Sequence, residues 1–400
     1  MIHNKSRFAF VSTQKGVSTV PSFLGLVNFL IEQGYKIDIY AVRDFIFPPL
    51  HFNNENVRII TLPEGFNQGQ IGWRFQFFLK WLPYLIKKSR EENYSLILGI
   101  EPWGLILSGL TARFFRLPFV YFSLELYFSN DLKSPYLKIL KLMEKWFSRQ
   151  ACFSIIQDWN RAELLIKENG INKEKVEILP NAPWGQARME RTKYLHQELN
   201  IPISLPVVLY LGGIGPWTQS LELARHAKAW DFPSAMVFHS RSILRGEYGD
   251  DFRREVDGTR VFFSDHPLDG DKVSSLVASG DIGIAFYNVN NEQRNVYNMG
   301  LSSGKIAHYL QLGLPIVTSS LPSVQRYVDK YGCGICVDRV DQVGEAVNKI
   351  LNDYAKYSER ALECFQREFN LDPFLNKILK RLNESVVRCK ESEKDGKHKE

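Results

Sequence analysis

The chain has 400 residues, more than one hydrophobic core usually serves, so two domains of roughly 150–200 residues are expected. Hydrophobic residues make up 44%, charged residues 24% and aromatic residues 13%, a composition that excludes both disorder and a polytopic membrane protein. The net charge of +6 gathers near aromatic residues in the first half, and five cysteines fit a reducing compartment, hence a cytoplasmic location.

The start, MIHNKSRFAFVST, passes directly into a strand pattern, so no signal peptide is expected. Strand-like runs then follow one another: RFAFVST, YKIDIYAV, VRIITL, YSLILGI, LPFVYFSL, CFSIIQ and KVEIL. Helical periodicity lies between most of them, as in residues 17–33, which should start near Ser18 or Thr19 and end at Gly34. Near-continuous apolar strands alternating with helices predict an α/β fold, a parallel sheet covered on both faces. The apolar stretch from Tyr94 to Leu110 contains Glu101 and Pro102, so it reads as strand, turn and helix, not as a span of about 20 apolar residues.

Residues 73–90, WRFQFFLKWLPYLIKKSR, mix Trp73, Phe75, Phe77, Phe78, Trp81 and Tyr84 with Arg74, Lys80, Lys87, Lys88 and Arg90. This composition suits either an anionic membrane surface or a helix with a buried apolar face. Prolines cluster between Pro180 and Pro206, which places a linker at 185–205 between domains at 1–184 and 206–371. A second alternation follows, VVLYLG, AMVFHS, RVFFS, DIGIAFY, LPIVTSS and GICV, with helices expected at 220–230, 272–278, 303–312, 323–330 and 340–351. A last helix at about 372–390 should pack back on the first domain, and 388–400 should be a disordered, solvated tail.

The richest stretch is DIGIAFYNVNNEQRNVYNMGLSSGKIAHYLQLGLPIVTSS, residues 281–320. A strand ends at Tyr287, and SSGK opens a helix whose N–H groups and partial positive charge make an anion cradle from Ser302, Ser303, Gly304 and Lys305. An ordinary serine cap with a surface lysine is the plainer reading of the same residues. LYLGGIGPW puts Gly212, Gly213 and Gly215 at another strand end, where open α/β sheets bind ligands, although it lacks a full dinucleotide fingerprint. His239, Ser240 and Arg241, Asp265 and His266, and Tyr287 stand at further strand ends as candidate ligand contacts. The histidines read equally as structural residues, and Tyr287 as core or stacking surface.

PNAP at the linker followed by SSGKIAHYLQLGLPIV resembles the GT-B glycosyltransferases, especially the broad family 4. The resemblance implies two Rossmann-like domains facing a cleft, with a nucleotide-diphospho-sugar in the second and a glycan or lipid-linked acceptor on the first. It makes Lys305 and the Ser302–Gly304 backbone the diphosphate cradle. Two glutamates common in that family would fall at Gly300 and His308, and the basic residues after its first C-domain strand have no counterpart in GGIGPWTQSLEL. His308 then becomes a candidate donor to a sugar hydroxyl. Glu125, just past LPFVYFS, is a candidate base or acceptor-orienting group, or else a helix-start carboxylate. Glu101 is a second candidate of this kind, and Lys15, Gly16 and Trp103 complete the acceptor side.

No metal is expected, since there is no D-x-D, no H-E-x-x-H and no His/Cys cluster; Cys333 and Cys336 sit in a glycine turn and read as structural. No other cofactor is implied beyond the donor substrate. No nucleic-acid motif is present. The expected activity is metal-independent sugar transfer in surface polysaccharide or glycolipid synthesis, with peripheral placement at the inner face of a membrane. A non-catalytic GT-B binding subunit and a sugar-nucleotide epimerase are the alternatives.

Overall fold

A computed structural model describes residues 6–43, 45–64, 77–240, 244–264, 268, 270–288 and 294–397. The apolar runs form two parallel sheets. The first holds β1 (Arg7–Ser12), β2 (Lys36–Ala41), β3 (Val57–Thr61), β4 (Leu96–Ile100), β5 (Phe119–Phe122), β6 (Ser154–Ile156) and β7 (Val176–Ile178) in the order β3-β2-β1-β4-β5-β6-β7. The second holds β8 (Val207–Leu211), β9 (Ala235–His239), β10 (Val261–Ser264), β11 (Ile282–Ala285), β12 (Ile316–Ser319) and β13 (Gly334–Val337) in the order β10-β9-β8-β11-β12-β13. In both sheets the strand order reverses between the first and fourth strands of the domain. Doubly wound sheets open a crevice beyond the strand ends at that switch point. Helices cover both faces, which is why β1, β4, β8 and β9 are buried along nearly their whole length.

Helices used below are α1 (Pro21–Glu32), α2 (Leu82–Glu92), α3 (Glu101–Phe115), α4 (Pro135–Gln150) and α5 (Trp159–Asn169). The first starts later than its periodicity suggests. Residues Val17–Thr19 form a separate 3-10 turn, and Pro21, which has no N–H to lose, begins the α-helix.

The segment read as a linker is bound to the second domain: Arg188 N donates to Gln311 O at 2.9 Å, and Thr192 N to Ala278 O at 3.0 Å. Helix Asp372–Lys397 returns to the first domain, where Tyr35 donates to Asn383 at 2.7 Å and Arg381 pairs with Glu177 at 3.1 Å. The expectation of a disordered tail from 388 is corrected, because this helix continues to Lys397. KESEKDGK consists mainly of good helix formers with opposite charges three to four residues apart, which favours continuation.

Within 73–90, residues before Phe77 lie outside the described residues. Trp81 and Leu85 are buried and Trp81 Nε1 donates to Pro63 O at 2.9 Å, so α2 turns its apolar side to the core. Among the described residues, no helix is long and apolar enough to cross a membrane.

Candidate functional site

In the second domain, helix Gly304–Gln311 lies under the switch point. Its Tyr309 hydroxyl accepts from Leu211 N at 2.7 Å and donates to Ile284 O at 3.3 Å, tying the helix to the ends of β8 and β11. That attachment aims the helix N-terminus at the crevice. Lys305 is 9% exposed, its Nζ 4.2 Å from the ring centre of Tyr210 and 5.1 Å from that of Tyr287. Gly212, at φ +133°, leaves room for it, since a Cβ there would lie 3.1 Å from Lys305 Nζ. The sequence-predicted glycine loop, lysine and Tyr287 therefore meet.

Tyr287 also reaches Ser303 Oγ at 3.3 Å and stacks on Trp217, with ring centres 5.9 Å apart. Trp217 is 40% exposed at the mouth of the loop, and Cβ atoms at Gly213 or Gly215 would press on its ring at 3.0 Å. Sequence reasoning missed Tyr210 and Trp217. The PW following the glycines was the available signal for Trp217, whereas Tyr210 looked like any strand residue.

Other candidates lie elsewhere. His239 and Ser240 are buried beneath the loop, where His239 Nδ1 meets Ser264 Oγ at 3.0 Å and His239 O accepts from Gly212 N at 2.9 Å, so they support the loop from inside. Arg241, Asp265 and His266 fall outside the described residues. Ser302 faces the first domain, its O accepting from Asn181 Nδ2 at 3.0 Å and its Oγ from Arg161 at 3.4 Å. Gly304 packs against Pro21 and Asn181, which closes one side of the expected cradle. His308 Nδ1 meets Gly304 O at 2.9 Å, and its ring lines an interdomain cavity of about 170 Å³ with Thr19, Pro21, Trp184 and Leu268. Lys305 and the glycine loop do not line that cavity.

The positions of the absent glutamates have a physical account at Gly300. This glycine has φ +44°, and a Cβ would run into the carboxylate of Asp158. Asp158 caps α5 through Arg161 N at 2.9 Å and accepts from Leu301 N at 3.0 Å. An aspartate of the first domain thus fills the space a side chain at 300 would need. Asn181, of the PNAP turn, is held by Ser22 Oγ, which donates to its side chain at 3.0 Å, and its backbone N–H donates to Leu301 O at 2.9 Å, which ties the loop before Lys305 to the first domain.

At the first domain's switch point the two carboxylates differ from expectation. Glu125 has a half-exposed side chain paired with Arg161 at 3.4 Å, a place that gives a base no enclosure. Glu101 is 3% exposed and held at φ +62°, an uncommon conformation for a residue with a side chain. Its Oε1 accepts from Leu124 N at 2.6 Å and Glu125 N at 2.9 Å, and its Oε2 from the Tyr127 hydroxyl at 2.9 Å. Burial raises its pKa to about 7 despite those hydrogen bonds. It faces a pocket of about 310 Å³ walled by Trp103, Tyr127, Leu137 and Leu140, with the buried Lys141–Glu144 pair at 2.9 Å on its lining. Lys15 is exposed and Gly16 is buried against Phe47, neither on that pocket. Among the described residues no group of His, Cys, Asp and Glu is placed to hold a metal ion.

Two Rossmann-like sheets joined through the PNAP turn, with a returning terminal helix, define the GT-B architecture. Residues 21–182 match the family described as Glycosyltransferase Family 4, and residues 255–382 match Glucosyltransferase 3-like, C-terminal domain. No curated protein sequence matches the chain. Sucrose-phosphate synthase from Thermosynechococcus elongatus is 15% identical with a TM-score of 0.69, over 96% of this chain and 100% of that one. HepE of Anabaena, solved in complex with UDP-glucose, is 14% identical with a TM-score of 0.68, over 95% of this chain and 100% of that one. WaaG, a glycosyltransferase involved in lipopolysaccharide biosynthesis, is 14% identical with a TM-score of 0.63, over 93% of this chain and 98% of that one. The chain has the GT-B fold, and it resembles glycosyltransferase family 4 over its first domain and the glucosyltransferase 3-like C-terminal domain over most of its second.

Proposed function

We propose that the protein transfers a sugar, without a metal, from a nucleotide-diphospho-sugar to a glycan or lipid-linked acceptor in surface polysaccharide or glycolipid synthesis. The observation that carries this reading is Lys305, a buried ammonium at the switch-point crevice against Gly212, Tyr210 and Tyr287. There it meets the donor diphosphate together with the N–H groups that open its helix, and it stabilises the charge that grows on the departing diphosphate. The HepE complex with UDP-glucose supports a uridine donor as the first to try.

On the other side of the cleft the acceptor hydroxyl lies in the Glu101 pocket. A carboxyl whose pKa stands at about 7 can accept a proton at neutral pH, so Glu101, rather than Glu125, takes the role of base toward the acceptor hydroxyl. Location at the inner face of a membrane would bring a lipid-linked acceptor within reach. Calorimetry with UDP and with UDP-sugars, repeated in EDTA, tests the donor and metal assignments together. Absence of binding by any nucleotide would sink them, and binding that EDTA abolishes would sink the metal-free mechanism alone.

A further inference from the structure

Helices α3 and α4 pack side by side, and their outer surface does not follow the usual rule for a solvated face. Along α4, Ile139, Leu142 and Trp146 recur at helical spacing and are 58%, 65% and 45% exposed. Phe114 of α3, beside Arg113, is 58% exposed. Arg113 lies over the Trp146 ring at 4.0 Å, so one aromatic and basic surface spans both helices. Contiguous exposed apolar side chains of this size mark an interaction site.

Charge identifies the partner. Between Glu101 and Arg116 and between Pro135 and Gln150 the only carboxylates are Glu101 and Glu144, and both are buried. Arg113, Arg116, Lys138 and Arg149 all stand in solvent around the apolar stripe. Apolar and tryptophan side chains ringed by arginine and lysine, with no exposed acid, complement an anionic lipid surface. A protein partner of ordinary composition would not require outward charge of a single sign.

We infer that the outer face of α3 and α4, and not residues 73–90, docks the protein on an anionic membrane. The same α4 carries Leu137 and Leu140 on the wall of the Glu101 pocket, so a docked protein holds that pocket next to the lipid. This last link rests on the transferase reading; the docking itself does not, and vesicle binding is read without donor or acceptor.

The test is flotation with phosphatidylcholine vesicles and with vesicles containing phosphatidylglycerol. Wild type should float with the anionic vesicles at low salt and be released by high salt. Replacing Arg113, Lys138 and Arg149 by Gln should lower partitioning roughly fivefold per charge, about a hundredfold together. Ile139→Ser/Leu142→Ser/Trp146→Ser should lower it at least about tenfold, with Leu142→Ser alone giving a smaller loss in the same direction. Melting temperature should fall by no more than a few degrees, from loss of the Arg149–Asn169 and Arg113–Trp146 contacts, and UDP affinity should stay at its wild-type value, because these side chains lie outside the site. The inference is overturned if wild type does not float, or floats equally well in both triple variants. It is overturned too if the apolar triple abolishes self-association in sedimentation while wild type ignores vesicles, which would make this face an interface between copies.

Discussion

Lys305 gives the sharpest quantitative expectation because its burial separates charge from packing. A surface lysine at a helix start changed to alanine would cost about 0.5 kcal/mol or less. Lys305 is instead 9% exposed, with its ammonium over Tyr210 and Tyr287, so alanine removes both stem packing and cation–π attraction. Lys305→Ala should therefore lose about 1–2 kcal/mol of stability, whereas Lys305→Met keeps the stem, removes the charge and should be nearly neutral. Both should lose the charge-assisted contact to phosphate, worth about 1.5–3 kcal/mol, and raise the UDP dissociation constant roughly 10- to 150-fold. Binding of uridine without phosphates should be unaltered. The effect on turnover should exceed that on binding if charge builds on the leaving diphosphate. Calorimetry with UDP and uridine on wild type and Lys305→Met decides it. Equal UDP affinity would remove the helix terminus from the donor site, and parallel loss of uridine and UDP would mean that the site had collapsed.

Glu101 predicts a pH effect: burial raises its folded pKa from 4.5 to about 7, so its favourable contribution is complete below about pH 4.5 and is lost as pH rises through 7. Relative to Glu101→Gln, wild type should lose up to about 3 kcal/mol across that window in urea unfolding, and equal pH slopes would show the carboxyl to be ordinary. Turnover of Glu101→Gln should fall at least about tenfold while UDP affinity holds, and an unchanged kcat would exclude its proposed role. Restoring a family-type residue with Gly300→Glu should lower stability by more than about 2 kcal/mol, because Asp158 occupies the space; a melting temperature at the wild-type value would contradict the packing described. Asn181→Ala should cost about 1–3 kcal/mol and weaken donor binding, because it removes the side-chain contacts to Ser22 and Ser302 O while the backbone bond to Leu301 remains, measured by melting and calorimetry on one sample.

The strands were legible because a parallel sheet buried on both faces writes continuous apolar runs, and each of the runs from RFAFVST to GICV became a strand. Lys305 with the Gly212 loop was legible for a related reason, since residues just past strand ends gather at one edge of such a sheet. What sequence could not supply was which side a polar residue faces. His239 stood at a strand end as a candidate ligand contact, yet it closes inward on Ser264. Glu101 and Glu125 read alike too, and only the folded loop shows that Leu124 N and Glu125 N enclose the first while the second reaches outward to Arg161. Composition left the basic aromatic segment 73–90 open between a membrane face and a buried helix face; Trp81 and Leu85 turn inward and Leu79 outward, while α4 exposes Leu142 and Trp146 at positions a core helix would also carry.

The central claim, a sugar moved from a nucleotide donor held at Lys305, is tested most directly by release of UDP from UDP-glucose and other UDP-sugars in EDTA, with and without a membrane extract as acceptor source. The account predicts measurable release from at least one donor, faster with acceptor and at least tenfold slower in Lys305→Met. Tight UDP-sugar binding with no release under any of these conditions would contradict it and leave a chain that binds the donor without using it.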